Sequence, residues 1–344
     1  MQNKVLIKPF LDALADFSKE QVWQQMQTLF SPECHVKMCH PWGEMRGPKA
    51  FFENCYLPLQ DSLPDLERRD FILMSGTCDH GHEWVGCSGN FMGTFIKPWL
   101  DIPPIGHLTY MRYHEFYRFE NQQIVEVQAI WDIPEVMMQA NAWPMAPALG
   151  KMFCIPAPAS QNGLSIKTDS TRAQQSKQVV LDMLQNLVKH PSQGGPEVMQ
   201  LEHFWHPKMN WYGPAGVGTC RGISGFRHWH QIPFLAAMPD RGQADESLIF
   251  NFFADGDYAA VTGWPNMKQT IQYDGWLGIA PSGQEITLCS LDFWRMEGDK
   301  IRENWVLFDL LDIHRQLGVD VLARMREFNK VRLQSSISFP IGDC

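Results

Sequence analysis

Residues 99–135 read WLDIPPIGHLTYMRYHEFYRFENQQIVEVQAIWDIPE, and residues 276–312 read WLGIAPSGQEITLCSLDFWRMEGDKIRENWVLFDLLD. A constant offset of 177 superposes the two stretches without a gap, and 11 of the 37 positions are identical, including Trp99/Trp276, Pro104/Pro281, Gly106/Gly283, Arg118/Arg295, Glu126/Glu303 and Asp132/Asp309. Ordinary residue frequencies would supply about two or three. The chain is therefore read as a duplication. Upstream the offset falls to 175, where Arg46-Gly47 and Phe51 match Arg221-Gly222 and Phe226. The two-residue difference belongs in a surface loop, where length changes are cheap.

Outward from this stretch the chain repeats one programme, helices first and then a meander of strands. Residues 8–29 place apolar side chains three and four apart, which predicts amphipathic helices broken near Ser18, with Ser18 as the cap of the second. A short hairpin is expected in SPECHVKMCHPWGEMRG, a helix from Pro48, and long antiparallel strands from Phe71 onward. The second copy opens on STRAQQSKQVVLDMLQNLVKH and follows the same order. The expected domains are 1–139 and 173–333, joined by a Pro/Met-rich linker at 140–172 and followed by a tail at 334–344. Trp143, Met145, Met152 and Phe153 predict a linker laid across the domains, because free tethers are poor in such residues.

Bulk properties narrow the function. The 344 residues have room for two domains, and a net charge of -9 with no basic run argues against nucleic acid or an anionic membrane as partner. No run approaches the length needed to span a bilayer, and the N-terminus makes a poor signal peptide. Nine scattered cysteines read as free thiols in a reducing compartment, so a cytoplasmic location is expected.

Each copy ends in a hairpin turning at Glu120–Gln123 or Glu297–Lys300. With unbroken alternation, Asp132 would share a face with Gln128, Glu126, Tyr117, Glu115 and Tyr113, and Asp309 with Trp305, Glu303, Trp294, Asp292 and Ser290. A one-residue slip would reverse the set. A carboxylate partly desolvated among aromatic residues, with a second acid nearby, has the raised basicity that proton abstraction requires. The competing reading is that either Asp caps the helix that follows it. Cys34-His35, Cys39-His40 and Cys78-Asp79-His80-Gly81-His82 resemble metal ligands in composition, but no zinc spacing is present and the second copy lacks them, so no metal is expected. No nucleophile elbow, phosphate loop or dinucleotide fingerprint is present, and the expected chemistry is cofactor-free.

These residues resemble the SnoaL-like polyketide cyclase family of the nuclear-transport-factor-like α+β superfamily. The resemblance rests on the loop Asp101-Ile102-Pro103-Pro104-Ile105-Gly106, its counterpart Gly278–Gly283, the ending Glu303-Asn304-Trp305-Val306-Leu307-Phe308-Asp309, and Gln316-Leu317-Gly318 after it. Copy one keeps Glu126 and Trp131-Asp132 but has Gln128 in place of the Trp. The resemblance implies an α+β fold of two tandem cone-shaped barrels, each a strongly curved mixed sheet with N-terminal helices closing a pocket. It also implies that Asp132 and Asp309 act as general bases, removing a proton α to a carbonyl in a small apolar, polyketide-like compound for aldol cyclisation, or in related isomerase or dehydratase chemistry. Tyr113, Glu115, Gln128, Ser290, Asp292 and Trp305 are the expected substrate contacts from strand alternation. The two copies are expected to pair within the chain as a pseudo-dimer, with a further homodimer open. A non-catalytic cone binding a hydrophobic ligand or a protein is the alternative.

Overall fold

A computed structural model describes residues 2–242 and 245–334. Its first half contains a six-stranded sheet built from β1 (Phe30–Met38), β2 (Gly43–Arg46), β3 (Glu67–Thr77), β4 (Glu83–Thr94), β5 (Leu108–Glu120) and β6 (Gln123–Trp131), in the order β2-β1-β6-β5-β4-β3. Only β1 and β6 run parallel. The second half repeats this order with β7 (Trp205–Tyr212), β8 (Thr219–Arg221), β9 (Asn251–Asp255), β10 (Tyr258–Thr262), β13 (Ser290–Glu297) and β14 (Lys300–Phe308). Here β11 (Met267–Thr270) and β12 (Glu285–Leu288) form a separate ribbon. Each sheet is open, with β2 and β3 or β8 and β9 at its edges, so the expected barrels are not closed.

The expected helices form for the predicted reasons. Gln2–Ala15 buries Ile7, Phe10, Leu11 and Leu14, and Lys19–Leu29 buries Val22, Met26 and Leu29, the three-and-four spacing of one face. Ser18 precedes the second helix, but its side chain makes no capping bond. Pro48 opens a helical run from Gly47 to Ser62 that contains a turn of π-helix, and the run from Gly222 to Ala237 repeats it. The duplicated Trp99 and Trp276 each start a tight turn closed on Ile102 or Ile279, with Leu100, Asp101, Leu277 and Gly278 at positive φ.

The two sheets pack on each other. Phe116 stacks on Phe293 at 4.9 Å between ring centroids and meets Phe253 edge-on at 5.9 Å. Gly86 permits this approach, since a Cβ there would lie 2.9 Å from the Phe293 ring. Leu291, Phe293, Trp305 and Leu307 consequently belong to the core of the first half, while Trp294, Val306 and Phe308 belong to that of the second. The segment from 141 to 169, which ends where the helix Ser170–Leu187 begins, touches both halves. Trp305 Nε1 donates to Pro156 O at 3.3 Å, Leu73 N donates to Gly163 O at 2.8 Å, and Lys151 bridges Thr219. In return the helix Val321–Phe328 buries Val321, Leu322 and Met325 in the core of the first half. Beyond Gln334, the tail expected at 334–344 lies outside the described residues.

Candidate active site

One extra residue in each hairpin decides which side chains enter the cones. Arg118 pairs with Glu126 and Phe119 with Ile124, leaving Val125 unpaired; Arg295 pairs with Glu303 and Met296 with Ile301, leaving Arg302 unpaired. Such bulges shift the register by one and invert every later face. Tyr113, Glu115 and Tyr117 therefore lie beside Trp131, Ala129 and Val127 on the concave face of the first sheet, and Ser290, Asp292 and Trp294 lie beside Phe308, Val306 and Asn304 in the second. Gln128 and Trp305 turn to the opposite faces, toward the other half. This corrects the unbroken alternation expected from sequence, which placed them with the carboxylates. Gln128 accepts a hydrogen bond from Thr262 Oγ1 at 2.5 Å, and the fully buried Trp305 ring lies 5.3 Å from Tyr212.

The first cone is filled and internally neutralised. Glu115, 0% exposed, pairs with the Arg68 guanidinium and accepts from Tyr117 Oη at 2.5 Å and Trp131 Nε1 at 2.8 Å, with Tyr56 Oη at 3.4 Å. Arg68 also pairs with Asp70, which accepts from Tyr113 Oη at 2.6 Å, and its guanidinium lies 4.1 Å from the Tyr113 ring. Phe51, Phe91 and Trp131 enclose the cluster. A buried charge pair of this kind persists because every remaining lone pair finds a donor. Sequence reasoning missed Arg68, Asp70 and Tyr56; they come from β3 and the helix after β2, and only the fold brings them to Glu115.

The second cone differs at the same positions. The counterparts of Glu115, Tyr113, Tyr117 and Trp131 are Asp292, Ser290, Trp294 and Phe308. Strand β9 has five residues where β3 has 11, and no arginine enters from it. Asp292 is half-buried; among the described residues it accepts one hydrogen bond, from Ser290 Oγ at 2.7 Å, and no ion pair holds it. Burial pushes its carboxyl up to about 7, with the Ser290 hydroxyl and the more distant Arg112 charge acting in the opposite sense. Asn266 fixes the strand beneath it, donating to Ser290 O at 2.7 Å and accepting from Ser290 N at 2.8 Å.

The two aspartates of the duplicated motif sit where the halves meet. Asp132 Oδ2 accepts from Ala215 N at 2.8 Å, and Asp309 Oδ2 accepts from His40 N at 2.7 Å. His40 and Ala215 are themselves related by the offset of 175, so the two bonds are reciprocal. Asp309 Oδ1 also caps the helix Leu310–Gln316 through Asp312 N at 3.1 Å; Asp132 precedes Ile133–Gln139 without a side-chain cap bond. Asp132 lies 3.6 Å from Arg112, whose guanidinium donates to Tyr212 O, Gly213 O and Val306 O of the second half. Burial raises both carboxyls, Asp309 to about 7, while Arg112 opposes the rise at Asp132. Glu135, which accepts from Arg112 N at 2.7 Å, is raised by burial and by Asp132. The cleft between the two aspartates, lined by His40, Trp131, Pro134, Phe308 and Leu311, measures about 10 Å³, the room of one water.

The metal-like sequence clusters stay apart. His35 bonds Glu44, Cys34 is buried, and the His80 and His82 rings lie 6.4 Å apart. Among the described residues no three His, Cys, Asp or Glu side chains converge, no cysteine is disulfide-bonded, and no helix is long and apolar enough to cross a membrane.

Among solved structures the chain is similar to IdmH from Streptomyces antibioticus (18% identity over 41% of this chain and 99% of that one, TM-score 0.35). It is also similar to a SnoaL-like polyketide cyclase from Agrobacterium tumefaciens (20%, 40% and 96%, TM-score 0.31) and to an NTF2-like protein from Burkholderia thailandensis (15%, 40% and 96%, TM-score 0.31). No curated protein matches it. The model of SnoaL-like polyketide cyclases matches residues 9–140 and 194–317, more than half of the chain and one match in each half, and the protein belongs to that family.

Proposed function

We propose that the protein is a general-base enzyme of the cyclase type, that its second cone is the working one, and that Asp292 is the base. The observation that carries this reading is the contrast between homologous carboxylates. Glu115 is sealed, paired with Arg68 and saturated with donors, whereas Asp292 is half-buried, has the Ser290 hydroxyl as its one hydrogen-bond partner among the described residues, and has its carboxyl pushed by burial up to about 7. A base poised near working pH gives the best compromise between being unprotonated and accepting a proton strongly. The substrate class is a small apolar carbonyl compound. Asp292 removes the proton α to a carbonyl, the C–H electron pair moves onto the carbonyl oxygen, and the enolate carbon attacks a second carbonyl of the same molecule. Apolar walls from Trp211, Trp294 and Phe308 support the folding of such a chain.

In this reading Asp132 and Asp309 act on the joint between the halves, because the carboxylate of each accepts from a backbone N–H of the other half. The same bonds support an intrachain pseudo-dimer in which one chain is the minimal folded unit. The test is deuterium exchange into the central carbon of a panel of aryl β-diketones, followed by NMR with the full-length protein. Asp292→Asn is expected to lower the catalysed rate by about 10² to 10⁴ while melting stays unchanged. Retained exchange in that variant, with loss in a folded Asp309→Asn, would transfer the base to Asp309. No catalysed exchange by the wild type would leave a ligand-binding cone.

A further inference from the structure

The two cones also differ in their hydrogen-bond donors. In the first, Tyr117 and Trp131 spend theirs on Glu115. In the second, Phe308 has no donor and the counterpart of Tyr117 is Trp294, whose Nε1–H is buried without a partner among the described residues. Trp294 is 2% exposed, lies two residues along β13 from Asp292, and faces the same concave side. Two residues of strand separate side chains by about 7 Å, which spans a carbonyl oxygen and its α carbon with a hydrogen bond at each end. A buried N–H left unpaired is destabilising, and an acceptor entering the cone removes that cost.

We propose that Trp294 Nε1–H is the donor to the substrate oxygen that becomes negative when Asp292 takes the α proton, so that this cone selects ligands carrying an enolisable carbonyl or its enol-like analogue. The assignment rests on the reading of Asp292 as base. As charge moves from the breaking C–H bond to the oxygen, the indole bond shortens and strengthens, and the proton ends on Asp292. Ser290 cannot serve instead, because its hydroxyl is given to Asp292.

The test uses the full chain labelled with ¹⁵N at its tryptophan indoles, titrated with 2-naphthol as an enolate analogue and with naphthalene, which lacks the oxygen. The Trp294 indole proton is expected to move downfield with 2-naphthol and not with naphthalene. Trp294→Phe is expected to weaken 2-naphthol binding about tenfold. An unmoved indole signal, an equal response to naphthalene, or unchanged affinity in a folded Trp294→Phe would overturn the assignment. Because the shift is read on native protein, with the signal assigned through bonds, a variant that fails to fold does not decide the matter. The two readings fail separately. A lost exchange rate in Asp292→Asn beside an unresponsive Trp294 removes the donor alone; a responsive Trp294 beside undiminished exchange removes the base and keeps the donor.

Discussion

At Asp309 two backbone N–H groups, from His40 and Asp312, converge on one carboxylate that is 7% exposed. Asp309→Ala removes a helix cap and strands a buried donor from the other half, so it is expected to cost about 2–4 kcal/mol in denaturant unfolding. The cost depends on pH. Asp309 holds its proton up to about 7 when folded against an ordinary 3.8, so the folded state binds the extra proton between those values. Its contribution is full below about 3.8 and declines as pH climbs toward 7, and the gap between wild type and Asp309→Ala is expected to narrow from pH 5 to pH 8. Asp292 gives the corresponding prediction for activity. Its carboxyl must be ionised to act, so the exchange rate is expected to rise with pH and level off above about 7, an inflection absent from the residual rate of Asp292→Asn.

Between residues and the whole lies the hairpin, the element on which the face assignment turns. β5 and β6 are joined by Asn121 and Gln122, both at positive φ (49° and 66°), a two-residue turn matched to the twist of the strands. Glycine adopts this conformation more readily than glutamine, so Gln122→Gly is expected to stabilise the protein by about 0.5–1 kcal/mol, measured as a higher denaturation midpoint at unchanged slope. The strands and this turn were legible because alternation and turn chemistry are local. The unpaired Val125 and Arg302 were not legible, since a bulge adds a residue without marking it by type. That slip moved Gln128 and Trp305 to the opposite faces from the concave carboxylates. The duplicated Asp drew attention to the right junction, but its partners His40 and Ala215 lie in turns of the opposite half, and no local pattern connects them. The arginine that silences Glu115 was hidden for the same reason, as it arrives from β3 across an intervening strand.

For the molecule as a whole, the question is whether two copies of one fold behave as two domains or as one cooperative unit. Their contact is core-like. Phe116 stacks on Phe293, Lys4 pairs with Asp255 at 2.6 Å with both side chains buried, and Arg112 donates to three carbonyls of the opposite half. The segment from 141 to 169 touches both halves, and the helix Val321–Phe328 of the second half packs into the core of the first. Unfolding either half alone would expose Phe116 or Phe293, part Lys4 from Asp255 and take from Arg112 its three carbonyl acceptors, a penalty of several kcal/mol. Phe293→Ala, which opens a cavity between the sheets, is expected to cost about 3–5 kcal/mol and to lower protection from hydrogen exchange in β4 and β5 as much as in β13 and β14. Protection that falls in β13 and β14 alone would make the halves independent. In that case the reciprocal bonds of Asp132 and Asp309 would be surface contacts between domains, and the second cone would be expected to keep its activity with the first half removed.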